Sequence, residues 1–212
     1  MSTQRKHQQG FTLIEIAIVL VIIGLLLGGV LKGQELIYNQ RVKSTYDAYR
    51  QYTAAMYGYQ DRYRAIPGDD ASATTRGFIV AAGNPAITSG NGNGSVAGYG
   101  LACTVATPST ASETCQANYH LRLAGFLTGQ GTTSSTHPFG GVVTLVAGTP
   151  SGLTGPTSVC WQLLPNKAAQ QIDLAYDDGV ATTGSMRGTA DYTTLIAAVP
   201  NATSAVWSCM TN

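Results

Sequence analysis

The chain has 212 residues and nearly balanced charge, twelve Lys and Arg against eleven Asp and Glu, which removes any electrostatic case for a nucleic-acid partner. Charged residues are only 11% of it and Gly numbers 25, a composition that suits loop-rich extracellular β structure better than a cytosolic helical enzyme. Charge is also uneven along the chain: it concentrates in residues 32–64, whereas 71–111 are nearly uncharged, and that shift sets a boundary near Pro67.

The first element is apolar and long. Arg5, Lys6 and His7 precede it and read as a cytoplasmic positive flank. From Phe11 to Leu31 run 21 residues in which Glu15 is the only charge. At about 1.5 Å rise per residue this matches the ~30 Å hydrocarbon core of a bilayer. A secretory signal has a shorter apolar core and a small-residue cleavage site after it. An ordinary single-pass anchor leaves Glu15 unexplained, because a carboxylate inside hydrocarbon costs on the order of 2.5–3.5 kcal/mol unless it is paired. The run supplies no counter-charge before Lys32. Cleavage between Gly10 and Phe11 would create one: an α-ammonium on Phe11, which Glu15 of a neighbouring copy could meet.

A basic leader ending in Gly10, then Phe11-Thr12-Leu13-Ile14-Glu15 and a long apolar helix, resembles the amino-terminal signal of type IV pilins and of the pseudopilins of type II secretion. The resemblance implies removal of residues 1–10 by a prepilin peptidase, N-methylation of Phe11, and a role for Glu15 in recruiting and registering each subunit. It further implies a precursor in the bacterial inner membrane, an assembly platform there, and a self-assembled filament at the cell surface or a periplasmic pseudopilus. Minor subunits at a filament tip often lack the acidic residue, so Glu15 favours a place within the shaft. The alternatives are a minor pilin or pseudopilin of a secretion or DNA-uptake system, and a membrane-anchored adhesin that never polymerises.

Beyond the apolar run, Val42, Tyr46, Tyr49, Thr53, Met56 and Tyr63 recur at helical spacing and predict one continuous helix over 11–66, roughly 84 Å long. Pro67, with Gly68 behind it, stops the helix. Gly24, Gly28, Gly29 and Gly33 weaken the helix or mark close packing between helices. The related proteins commonly place a helix-breaking proline where this chain has Lys32. Seven tyrosines between Tyr38 and Tyr63 supply the large, half-wet rings of a packing helix.

Residues 67–212 form the predicted head. Tyr63 to Asp70, Gly90 to Gly94, and His120 to Gly129 resemble, in that order, segments of a large group of prepilin-like proteins. Residues 71–111 read as a long loop. Thr110 to Glu113 has the form of a capping box ahead of a helix to about Leu127. Val142–Val146, Ser158–Leu164, Ile172–Tyr176, Tyr192–Val199 and Ala205–Cys209 read as strands of an antiparallel sheet with one face on the long helix. The expected fold class is therefore α+β and pilin-like.

Four cysteines follow the apolar run, without metal or redox spacing, so disulfides in an oxidising compartment are expected. Three pairings are open to spacing alone. The preferred set joins Cys103 to Cys115 and Cys160 to Cys209, the second resembling the carboxy-terminal disulfide loop of many pilins.

No residue is nominated for catalysis, and no metal or cofactor is expected. Gly90-Asn91-Gly92-Asn93-Gly94 lacks the strand, helix and Lys-Ser/Thr of a phosphate loop. His120 and His137 lack a nucleophile to serve. Asp173, Asp177, Asp178 and Asp191 could gather around calcium, but no twelve-residue loop pattern is present, and Asp177-Asp178-Gly179 is an ordinary turn signal.

Overall fold

The computed structural model describes residues 13–98, 103, 112–147, 152–153, 155, 157–188, 192 and 207–211. They form two compact units, residues 1–40 and 41–212. Helix α1 is Leu13–Tyr63, 51 residues without a break, and the class is α+β.

In the second unit a seam of α1, Thr45, Tyr49, Tyr52, Met56 and Tyr59, is buried at alternating spacings of four and three. The stripe expected from sequence is shifted. Tyr46, Thr53 and Tyr63 are only half-buried, and Tyr52 and Tyr59 take the core positions. Each core tyrosine also satisfies its hydroxyl. Tyr49 donates to the Thr211 carbonyl (3.0 Å), Tyr52 to Asn118 Oδ1 (3.0 Å) and Tyr59 to Asp70 Oδ2 (2.6 Å).

The helix ends at Tyr63, not at Ile66. Arg64 takes a left-handed φ of 55° while its N–H closes onto the Gln60 carbonyl (2.8 Å). The chain thus turns out of the helix three residues before Pro67.

Helix α2 is Glu113–Leu123. Its cap is Ser112, whose extended backbone turns Oγ onto the Cys115 N–H; Thr110 lies outside the described residues. The expected reach to Leu127 fails because Gly125 adopts φ +81°. The N–H groups of Gly125 and Phe126 then close onto the carbonyls of Arg122 (3.0 Å) and Leu121 (2.9 Å), the two bonds of a Schellman cap.

Helix α3, Asn166–Tyr176, replaces the strand expected over Ile172–Tyr176. Read with what precedes it, the segment is rich in helix-forming Lys, Ala, Gln and Leu. Its buried Ala168, Ala169, Ile172 and Asp173 recur at helical rather than alternating spacing.

The sheet contains β1 (Ser135–Thr136), β2 (Val142–Val146), β3 (Ser158–Gln162), β4 (Met186–Gly188) and β5 (Trp207–Thr211), all paired antiparallel in the order β1-β2-β3-β5-β4. The expected strand 142–146 is present, that over 158–164 stops at Gln162 because Leu163 turns to φ 57°, the last expected one is shifted to 207–211, and β4 has no sequence signal. Of the strand expected over 192–199, Tyr192 is helical rather than extended and residues 193–199 lie outside the described residues. Trp161 on one face of β3 lies 5.9 Å from the Tyr49 ring. On the opposite face Cys160 and Cys209, directly opposed in register, are joined by a disulfide and cluster with Val146 and Leu153.

Candidate functional site

Two constellations stand out, one in each unit. In the first, α1 carries its apolar side chains outward: Leu13 is 92% exposed and Leu25 74%. Leu13–Leu31 alone spans about 28 Å at helical rise. It lies in the one helix, among the described residues, that is long and apolar enough to cross a membrane. Glu15 sits in the first turn, where a carboxylate complements the positive end of the helix dipole. Gly10 and Phe11, the expected processing residues, lie outside the described residues. The helix passes through Gly24, Gly28, Gly29 and Gly33 unbroken. Nothing lies within 4 Å of where a Cβ would stand at any of the four.

In the second unit, the segments Tyr63 to Asp70, Gly90 to Gly94 and His120 to Gly129 converge into a buried clasp. The Asp70 carboxylate accepts from Tyr59 Oη (2.6 Å), Ser72 N–H (3.0 Å) and Arg76 Nη2 (2.8 Å), and Arg76 Nε also bonds it. Burial pushes the Asp70 carboxyl up, but the bonds from Arg76, Tyr59 and Ser72 outweigh burial and hold it below the usual range. Burial and the neighbouring carboxylate together push the Tyr59 hydroxyl far up.

Asp69 faces the other way, into the Gly90–Gly94 loop. Its carboxylate accepts from Asn93 N–H (3.0 Å) and Gly94 N–H (2.7 Å). Glu113 takes Asn91 N–H (3.1 Å) and Ala97 N–H (2.8 Å). The glycine-rich loop therefore spends three of its amides on the protein's own carboxylates, in the manner a phosphate loop would spend them on a ligand, while Gly90 and Gly92 N–H donate to the carbonyls of Asp70 and Asp69. A Cβ at Gly90 would collide with the backbone of Gly68 and Asp69, so this position requires glycine.

His120 bridges the clasp. Gly68 N–H donates to Nδ1 (3.1 Å), so Nε2 carries the proton and donates to the Thr88 carbonyl (2.9 Å). Burial lowers its pKa. His137 repeats the device, with Nδ1 accepting from Phe139 N–H (3.3 Å) and Nε2 donating to the Gln162 carbonyl (2.8 Å). His120 cross-links two loops, and His137 ties its own turn to the end of β3.

Carboxylate oxygens of Asp173, Asp177 and Asp178 lie within 4.8 Å of one another; Asp191 is outside the described residues. All three accept from the protein itself. Asp173 takes Tyr192 Oη (2.8 Å) and Gly179 N–H (3.1 Å), Asp177 takes Met186 N–H (2.7 Å), and Asp178 takes Val180 N–H (2.9 Å). They shape the turn after α3. Cys103 and Cys115 are disulfide-bonded, Cα–Cα 5.6 Å.

The sequence matches the prokaryotic N-terminal methylation motif over residues 5–31. The chain carries a prepilin signal. No curated protein and no solved structure matches it. The signal is that of the type IV pilins and pseudopilins, a family of structural subunits.

Sequence reasoning misses the clasp's carboxylates. Asp69, Asp70 and Glu113 are legible only as parts of segments, and all their partners but Ser72 lie 6 to 25 residues away. One signal is present: Arg76 is the lone charge between residues 71 and 111, and an isolated charge in a neutral stretch implies a specific partner.

Proposed function

We propose that this chain is the structural subunit of a type IV pilus or pilus-like filament, processed after Gly10 and polymerised through its amino-terminal helix. One observation carries the reading: the methylation motif over residues 5–31 coincides with a helix whose apolar side chains face outward. Such a surface needs lipid before assembly and other helices after it. Assembly then moves an apolar rod from a bilayer into a bundle of identical rods. Glu15 of one copy meets the Phe11 ammonium of the next, and a register slip would bury either charge alone, which is costly. Glu15 favours a position within the shaft over one at the tip. Prepilin peptidase and the inner-membrane assembly platform are its partners in processing and export.

The test is Glu15→Ala. Membrane levels of the precursor stay normal, and sheared surface filaments fall to near background. The intact mass of wild-type filament subunits lacks residues 1–10 and gains one methyl. Normal filament yield from Glu15→Ala, or a mature protein that still begins at Met1, contradicts the reading.

A further inference from the structure

We propose that Asn91-Gly92 and Asn93-Gly94 are self-modification sites, two deamidation-prone pairs that Asp69 holds silent while the clasp is closed. In an Asn-Gly pair the glycine nitrogen, unhindered by a side chain, gives its proton to a solvent base and attacks the asparagine Cγ. A C–N bond closes a cyclic imide, and the side-chain nitrogen leaves as ammonia. Water then opens the ring. Addition at Cγ leaves aspartate, and addition at the main-chain carbonyl leaves isoaspartate, whose backbone runs through the former side chain. Nothing is oxidised or reduced, and water is the sole co-reactant.

Water has access, because Asn91, Gly92, Asn93 and Gly94 are all exposed. The electrophile is also prepared. Asn91 Oδ1 accepts from Asn93 N–H and Asn93 Oδ1 from Ser95 N–H, each at 2.9 Å, and a donor on that oxygen stabilises the negative charge it gathers as the nitrogen adds. The nucleophile is what the fold withholds. Gly92 N–H donates to the Asp69 main-chain carbonyl (3.0 Å), and Gly94 N–H to Asp69 Oδ2 (2.7 Å). One residue thus holds both attacking nitrogens. The grip on Gly94 is the firmer, because deprotonation there would set an amide anion against a carboxylate. Asp69 is itself only 4% exposed, and Gly90 packs so closely on it that a Cβ would strike its backbone, which fixes the grip in place.

The arrangement recurs at Asp178-Gly179, the one other Asn-Gly or Asp-Gly pair in the sequence. There Gly179 N–H donates to Asp173 Oδ1 (3.1 Å), while Asp178 Oδ1 accepts from Val180 N–H (2.9 Å). All three pairs therefore have the attacking N–H engaged by an acidic residue. Local opening of the clasp frees the nitrogens of Gly92 and Gly94, and the outcome is one-way. Isoaspartate at position 93 lengthens the backbone between the two N–H groups that share the Asp69 carboxylate, and either product adds a negative charge beside it. An episode of opening is thereby written into the covalent structure, whether or not the subunit polymerises.

The experiment incubates the detergent-extracted full-length protein at mildly alkaline pH. Peptide mapping follows the mass gain of amide-to-acid conversion at each asparagine, and an isoaspartate-specific methyltransferase labels the product. Wild-type protein converts slowly at both positions when native and rapidly at both in urea at the same pH and temperature. Asp69→Asn keeps the shape and removes the charge. It speeds conversion at Asn93 on the order of tenfold, the factor a hydrogen bond to a charged group is worth, and leaves Asn91, held by a main-chain carbonyl, near the wild-type rate. Native wild-type conversion as fast as that in urea overturns the proposal without any variant. So does an Asp69→Asn protein, shown to be folded by circular dichroism, in which Asn93 stays as slow as in wild type or in which Asn91 and Asn93 accelerate equally.

Discussion

Residues 13–40 and residues 41–212 solve opposite problems with the same twenty side chains. In the first region leucine and isoleucine face outward along a continuous helix. In the second, even aspartate, glutamate and histidine are buried: Asp70 is 2% exposed, Glu113 8% and His120 0%. The first region is written for surroundings the single chain does not contain; the second pairs these buried carboxylates and this histidine with its own groups. Changes to the head's buried groups should therefore register as lost folding stability, and changes in the apolar helix as lost assembly with folding intact.

The largest head effect is expected from Cys160→Ala combined with Cys209→Ala. The bridge spans a sequence separation of 49, for which loop entropy gives about 4 kcal/mol. Urea unfolding of the detergent-extracted protein should show that loss, with membrane insertion unaffected. An unchanged midpoint would break the division between the regions at its strongest point.

Asp70→Ala comes next. It strands a part-buried Arg76 and the Tyr59 hydroxyl together, and breaking a buried pair costs about 3–5 kcal/mol. Arg76 is 20% exposed at its side chain, which places the expectation at the lower end. The effect should persist in high salt, because the pair is shielded from solvent.

His120 supplies a smaller, pH-dependent effect. Its folded pKa lies below the unfolded value of about 6.5, because burial disfavours the imidazolium. The Asp70 charge works against that burial and the Arg76 charge with it. Below about pH 6.5 the unfolded state binds more protons than the folded one, so stability present at neutral pH is lost as pH falls from there toward the folded pKa. Protonation also removes the Nδ1 lone pair that accepts from Gly68. Urea midpoints at pH 7.5 and 5.5 should differ, and less so in His120→Gln. A pH-independent midpoint would show that the clasp does not depend on the neutral ring.

The apolar helix, the methylation motif and the helix–sheet division are legible in sequence because each rests on local pattern: a 21-residue apolar run, an ordered motif and alternating β-branched strands. The clasp is not. Asp69 meets Gly94 and Glu113 meets Asn91 across loops with no periodicity, so only the folded chain shows which carboxylate serves which amide. The shift from Tyr46 to Tyr52 in the buried seam has a similar cause. Tyrosine stands at seven positions between 38 and 63, and composition alone does not say which ring faces inward. Ile172–Tyr176 misleads because a five-residue window with Ile and Tyr suits a strand, while the eleven-residue segment Asn166–Tyr176 suits a helix. Its length is the missing information.

The smallest expected effect compares glycines across the two regions. Gly28 has nothing within 4 Å of a built Cβ and lies in regular helix, so Gly28→Ala should leave the subunit folded and strengthen its helix by up to about 1 kcal/mol. Gly90→Ala should instead disrupt the clasp, because its Cβ would strike the backbone of the Gly68–Asp69 turn, which has no flexible end to move aside. The assembled filament separates the two roles of the helical glycines. If Gly28 marks close approach between neighbouring helices, alanine inserts a methyl where backbones meet and filament yield falls while isolated-subunit helicity rises. Circular dichroism of the extracted subunit, set beside filament yield from the same cells, measures both. A fall in yield with gain in helicity would place the constraint on Gly28 in the neighbouring copies, where the exposed face of residues 13–40 already points.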